Sequence, residues 1–304
     1  MGPKVWNGEI NGKAEIDFFD KTSDNSFRPR VRHLYMVFNF TKWNLLLGQA
    51  WDVIGPLGPA TLNTNGYLWN AGNIGFRRTQ ARFTCDIELS NKFHLKTQLS
   101  VNRNTGILSE AHNTGVDSGW PLMESRVSVS KKTLSNKLME LGVGGLYGKE
   151  EIDKTNMSEI PDNNSWIAPQ WGVIADILIP LLDKVTIKGE LFLGRNLDAF
   201  LAGIGQGINI DKEKSILAHG GWAQISYALN KSFTLNSGFG TDAVDSGDIN
   251  HGDRAKNQTL FINLMFSPIK DLEFGGEYSY WHTEYLGLND GNNNKIQGSV
   301  IWHF

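Results

Sequence analysis

The residues able to do chemistry in this 304-residue chain sit two positions apart. In RRTQARFTCDIEL, residues 77–89, Arg78, Gln80, Arg82 and Asp86 fall on one side of an extended segment, opposite Thr79, Ala81, Phe83, Cys85, Ile87 and Leu89. Glu15, Lys96, Glu124, Arg126, Lys188 and Glu190 hold the same polar phase in other segments. A spacing of two puts side chains on one face of a β-strand. These groups therefore make an extended ionic surface of both signs, suited to attracting and releasing hydrogen-bonding solutes. It lacks the close pairing of nucleophile and base that catalysis requires.

Other chemistries find no pattern. His94, His282 and His303 have acidic or hydroxyl neighbours, but no serine–histidine or acid–histidine signature of a barrel hydrolase surrounds them, so no enzyme is expected. Two acidic stretches, residues 150–162 and 242–253, lack the D-x-D-x-D-G spacing of a calcium loop and read as solvated surface charge. Cys85 is the single cysteine, which excludes an internal disulfide and any CxxC metal or redox site. No metal or cofactor is expected.

Composition narrows the partners. A net charge of −3 with scattered basic residues offers no field for nucleic acid. Mean hydropathy is −0.30, and no stretch approaches the roughly 20 apolar residues of a membrane-crossing helix. The chain opens MGPKVW, without a basic n-region and apolar h-region, so a signal peptide is expected to have been removed.

The elements that must position the polar face are long alternating strands. VWNGEINGKAEIDFF, residues 5–19, sets Trp6, Gly8, Ile10, Gly12, Ala14, Ile16 and Phe18 against Asn7, Glu9, Asn11, Lys13, Glu15 and Asp17. Similar runs recur to the terminal GSVIWHF, giving about fourteen strands, with a range of twelve to sixteen. Every second connection is short: 41–42, 90–92, 131–137, 180–184, 230–231 and 267–270. The others are long and polar: 20–29, 52–76, 103–121, 148–168, 195–218, 241–257 and 284–293.

Strands of about ten residues, apolar on one face and joined by alternating tight turns and long loops, describe a transmembrane antiparallel up-and-down β-barrel. The expectation is one barrel domain over residues 1–304, with the first and last strands paired. Short turns face the periplasm and long loops the exterior. Trp302, Phe304, Trp43, Phe40 and Trp6 then stand at the periplasmic interface, where amphipathic rings are favoured. About fourteen strands enclose more space than side chains fill. With nothing apolar on the inward face, the lumen should hold water and pass small hydrophilic solutes. A soluble all-β secreted or carbohydrate-binding protein, and a barrel serving adhesion, are the alternatives.

Residues 45–83 resemble the DcaP-like outer-membrane porins. Gln49 and Trp51 correspond to a GQxW strand, Pro59, Thr61 and Leu62 to its Pro- and Gly-containing loop, and Arg77 or Arg78 with Gln80 and Arg82 to an RxxQxRF strand. The terminal Phe304 is likewise the ending of bacterial outer-membrane proteins. The resemblance implies a bacterial outer-membrane porin that prefers anions such as dicarboxylates, sits among lipid and lipopolysaccharide, and assembles as a homotrimer. That family typically has sixteen strands and a helical N-terminal extension, whereas the sequence here starts on its first strand and fewer strands are expected. Loop 52–76 is expected to fold inward, making Gln49, Trp51, Asp52 and Arg77 the residues that frame a constriction.

Eight of ten arginines precede residue 130: Arg28, Arg30, Arg32, Arg77, Arg78, Arg82, Arg103 and Arg126. Facing the lumen, they would form a positive strip that favours anions. Two placements stay open for Arg28, Arg30 and Arg32. In one they face the lumen; in the other they mark the outer rim, because their parity matches Leu34, Met36 and Phe38 and points them outward.

Overall fold

The computed structural model describes residues 4–304 except 6, 22–25, 64–66, 91–92, 107–114, 117, 134–135 and 154–164. Trp6 and most of the acidic stretch 150–162 lie outside the described residues. Fourteen long strands follow one another: β1 Gly8–Lys21, β2 Phe27–Asn39, β3 Trp43–Trp51, β4 Arg77–Ser90, β5 Phe93–Asn102, β6 Leu122–Lys132 and β7 Leu138–Asp153. They continue as β8 Ser165–Pro180, β9 Val185–Arg195, β10 Leu217–Ala228, β11 Phe233–Val244, β12 Arg254–Ile269, β13 Leu272–Tyr285 and β14 Gly291–Trp302. Each pairs antiparallel with the next in a single sheet, which also takes in the short segment Lys4–Val5. No ladder between β14 and β1 occurs among the described residues.

Alternation explains the sheet's two faces. Along β6, Met123, Val127 and Val129 are exposed, whereas Glu124, Arg126 and Ser128 are buried. Val143 is 58% and Leu191 67% exposed on the same outer side, and both Glu124 and Arg126 only 3%. A soluble sandwich would show the reverse. The apolar side chains of this sheet do not interlock, so the surface they present matches hydrocarbon. Among the described residues no helix is long and apolar enough to cross a membrane.

Aromatic rings gather at the short-turn end. Phe40 stacks on Trp43 at 4.0 Å, Phe233 on Phe266 at 4.6 Å, and Trp302 meets Phe304 at 6.1 Å. At the other end several strands outrun the sequence reading. β7 runs to Asp153, β8 starts at Ser165, and residues 241–244 and 254–257 belong to β11 and β12. Beyond the bilayer both faces meet polar surroundings, so the ladder continues where apolar alternation stops.

Two departures matter for the interior. A β-bulge interrupts β1 and β2: Glu15 pairs with His33 but Ile16 with Val31, leaving Arg32 as the extra residue. The bulge resets parity, so Val31 joins the outer face and Arg30 and Arg32 turn inward. The outward phase extrapolated from Leu34, Met36 and Phe38 fails there. The second departure is an apolar cluster on the inner side. Leu122, Leu146, Ile174, Phe192, Ala218 and Val244 line the long-loop ends of β6 to β11, and against them pack Leu197, Phe200, Ala202, Ile204 and Ile216. The expectation that nothing apolar fills the lumen is corrected on this side. A loop folded inward needs a dry surface to rest on.

Candidate functional site

Loop 52–76 crosses the interior. Its neck closes where Asp52 N–H donates to Phe76 O at 2.8 Å and Phe76 N–H to Asp52 Oδ2 at 2.9 Å. Gly55 is required at this neck: its φ is +71°, and a Cβ would lie 2.2 Å from the Ile74 carbonyl oxygen. Gln80 Nε2 donates to Ala50 O and Trp51 O, pinning the strand end below.

Past the neck, the segment GPLGPATLN has unpaired backbone groups that must find partners. The barrel wall supplies them in order. Val53 N–H donates to Glu124 at 2.6 Å, Leu57 N–H to Glu190 at 2.8 Å, and Ala60 N–H to Gln224 at 2.6 Å. Leu62 N–H and Thr61 Oγ1 both reach Glu277 at 2.7 Å. Asn263 donates to Ala60 O at 2.6 Å, Lys188 to Gly58 O, and Gln297 to Leu62 O. One loop is thus held by β6, β9, β10, β12, β13 and β14.

The returning arm rests on loop 195–218. Asn70 N–H donates to Leu201 O and Gly75 N–H to Phe200 O, while Ile54 and Ile74 enter the apolar cluster. Arg78 joins the two loops. Its guanidinium makes paired bonds to Asp52 at 2.7 and 3.1 Å, donates to Ala199 O at 3.0 Å and lies 4.0 Å from the Phe200 ring centroid. The Arg78 side chain is 2% exposed. Its expected place in open water is corrected: Arg78 faces inward but is covered by the loops it fastens.

Loop 195–218 has its own carboxylate anchors. Asp242 accepts from Gly203 N–H and Ile204 N–H, each at 3.1 Å. Asp248 accepts from Arg195 and Leu217 N–H, each at 2.9 Å, and pairs with Lys214. Burial alone would raise the Asp248 carboxyl, but these bonds outweigh it and hold its pKa below the ordinary value. Asp242 and Asp248 are therefore buried structural acids, not the solvated surface charge read from residues 242–253. Among the described residues no three His, Cys, Asp or Glu side chains group to hold a metal.

An opening remains between the loop and the β1–β4 wall. It is a cavity of about 330 Å³ bounded by Arg32, Trp51, Leu57, Tyr67, Trp69 and Asn73, among others. Arg32 bonds to Glu15 at 2.6 Å and Asp17 at 3.0 Å, Arg30 to Asp17 at 2.8 Å, and Lys13 to Glu15 at 2.5 Å. Arg77 sits 4.6 Å from the Trp51 ring centroid, and among the described residues neither Arg77 nor Arg82 makes an ion pair. Five cationic side chains, Lys13, Arg30, Arg32, Arg77 and Arg82, stand on β1, β2 and β4; Glu15 and Asp17 pair with the first three, and Asp52 and Glu124 lie near Arg82.

The remaining candidates divide. Arg126 is buried and bonded to Asp176 at 2.6 and 2.8 Å and to Glu140 at 2.9 Å, so its charge is already answered. Lys96 is partly exposed on β5. Glu124, Glu190 and Lys188 hold the loop. Gln49 supports the bulge, and Trp51, Asp52 and Arg77 surround the neck. Sequence reasoning did not single out Tyr67, Trp69, Gln224, Asn263 or Glu277 as site residues. An aromatic pair in a loop otherwise rich in Asn and Gly was the available signal for the first two.

By sequence the chain matches no protein-family model and no curated protein. By structure it is similar to the outer membrane channel DcaP of Acinetobacter baumannii, with a TM-score of 0.74 and 16% identity over 99% of this chain and 82% of that one. It is also similar to OprB of Pseudomonas putida, with a TM-score of 0.57 and 10% identity over 91% and 73% of the two chains. OmpT of Vibrio cholerae gives 0.56 and 10% over 99% and 86%. The class is thereby defined: the chain has the all-β antiparallel up-and-down fold of outer-membrane porins and channels. Fourteen strands carry it here, with a DcaP-like arrangement.

Proposed function

We propose that this protein is a porin of the bacterial outer membrane, passing small hydrophilic solutes by passive diffusion and preferring anions such as dicarboxylates. The carrying observation is the wall beside the opening, where Lys13, Arg30 and Arg32 pair with Glu15 and Asp17 and Arg77 and Arg82 add two further cations on β4. Cations lining a pore favour anions. Most of the acids opposite are engaged: Glu124, Glu190 and Glu277 accept backbone N–H groups of the loop. The structural likeness to an outer membrane channel supports the same reading. It acts without cofactor or catalysis, among lipid and lipopolysaccharide, as one subunit of a homotrimer.

Planar-bilayer recording of the purified protein across a potassium chloride gradient tests this. The expected reversal potential has the sign of chloride permeation. Cation permeation would remove the anion preference, and absence of conductance would remove the porin assignment.

A further inference from the structure

Two neighbouring strands separate inside the apolar band. β2 pairs with β3 from Asn39 to Leu34, where Leu34 meets Gln49, but it pairs with β1 as far as Phe27. β3 keeps instead to β4, through the pair of Trp51 with Arg77. Beyond Leu34 the Gln49 amide, donating to Val31 O and Arg32 O, stands in for the ladder. Ile16 and Val31, paired across β1 and β2 at this height, are 58% and 45% exposed on the outer face. The strands therefore diverge where the wall still faces hydrocarbon.

The cavity lies in that divergence. Its two wall residues are Arg32 of β2 and Trp51 of β3, one from each separating strand, and loop 52–76 supplies the rest. Arg32, Trp51, Leu57, Tyr67 and Trp69 are half-buried and Pro56 is exposed, so their surfaces are available to a molecule in the space. Five of these six are apolar or aromatic. The sixth, Arg32, already has Glu15 and Asp17 as partners at 2.6 and 3.0 Å. An anion brought to Arg32 would meet those two carboxylates, whereas an uncharged, mainly apolar occupant meets no like charge.

The lining is also a ring surface. Trp69 lies 5.5 Å from Tyr67, 6.0 Å from Phe76 and 6.4 Å from Trp51 between centroids, at interplanar angles of 70°, 71° and 46°. The rings make a corner, not a stack, and a corner accepts one more ring by the same offset or edge-to-face contacts. Holding it strains the loop: Tyr67, Leu68 and Asn70 have φ of 31°, 60° and 59°, and none is glycine. Leu68, between the two rings, is fixed against Trp222 and Phe261. Backbone strain of this kind gathers at ligand clamps. A volume of about 330 Å³ falls at the lower end of the roughly 300–1,000 Å³ range of small-molecule sites.

We propose that the divergence of β2 from β3 holds a binding site for a small uncharged aromatic molecule of one or two fused rings, seated against Trp51, Tyr67 and Trp69. The site goes beyond the porin reading and does not depend on solute flow through the lumen.

The test is calorimetric titration of the full chain in lipid nanodiscs, with the heat of empty nanodiscs subtracted. Indole is the probe, cyclohexanol the control without an aromatic ring, and indole-3-acetate the charged control. Saturable binding of indole is expected, with none for cyclohexanol and weaker binding of indole-3-acetate. Trp69→Ala should weaken indole by about tenfold, the loss of one ring contact, and Trp69→Phe by less. Should Trp69→Ala fail to fold, 5-fluoroindole read by fluorine NMR on the wild type decides: its resonance should shift on binding and return with excess indole. Absence of saturable indole binding would overturn the site. Equal affinity for cyclohexanol or indole-3-acetate, or equal affinity in Trp69→Ala, would overturn it as well. Potassium chloride conductance of the same preparation reads the porin function separately, so normal conductance without indole binding removes the site alone. Indole binding without conductance keeps the site and removes the porin reading.

Discussion

The side-chain amide of Gln49 donates to the carbonyl of Val31 at 2.7 Å, with a second contact to Arg32 O at 3.4 Å. Those carbonyls belong to the bulge that opposes Arg32 and His33 to a single residue of β1. The bulge interrupts the regular ladder there, and Gln49 supplies a donor from the neighbouring strand. The residue thereby helps keep Arg30 and Arg32 on the inner face.

Gln49→Ala should loosen the bulge by about 1 kcal/mol, the net worth of one such bond. A regular β1–β2 pairing would return Arg30 or Arg32 to the outer phase. The reversal potential should move toward zero while conductance persists. An unchanged potential would mean that the bulge holds without its amide.

Arg78 and Arg82 share a parity but should respond differently to charge reversal. Arg82→Glu removes a cation that has no ion-pair partner among the described residues, and should reduce or invert anion preference. Arg78→Glu buries a second acid against Asp52, and breaking such a buried pair costs about 3–5 kcal/mol. It should lower thermal stability, seen as loss of the compact band on unheated gel electrophoresis. Arg78→Met with Asp52→Asn should recover part of that loss.

Glu277 accepts from Leu62 N–H and Thr61 Oγ1 at 2.7 Å and from Asn263 at 2.9 Å. Glu277→Gln keeps one acceptor oxygen and loses the charge, weakening the far end of the loop by about 1.5–3 kcal/mol. Single-channel traces should become noisier and conductance higher as the loop leaves the wall. A quiet trace of wild-type amplitude would assign the anchoring to the other clamps.

Asp198 gives loop 195–218 a pH dependence of definite sign. Burial pushes its carboxyl from 3.8 up to about 6, against bonds from Ala199 N–H and Gly207 N–H. The folded state therefore binds the proton more tightly than the unfolded one. Stability falls as pH rises from about 4 to about 6 and stays level above, a loss of about 3 kcal/mol at most. Asp198→Asn retains an acceptor for Ala199 N–H, should flatten that window, and should raise stability at neutral pH. Thermal denaturation of both forms at pH 4 and pH 7 checks it.

What the sequence determined by itself was everything carried by local period and loop length. Alternation in segments such as MESRVSVS decided which side of each strand is apolar, and tight turns alternating with long loops decided the up-and-down order. These signals are complete within a dozen residues. The interior was a different matter, because its contacts join residues far apart: Val53 meets Glu124, and Leu62 meets Gln297, 235 positions away. No period encodes such pairs. A single inserted residue at Arg32 reversed an inference of parity, and only neighbouring strands reveal where the insertion falls. The path of loop 52–76, the dry cluster under loop 195–218 and the cover over Arg78 were decided by tertiary structure, where unpaired backbone groups took the nearest wall side chains able to satisfy them.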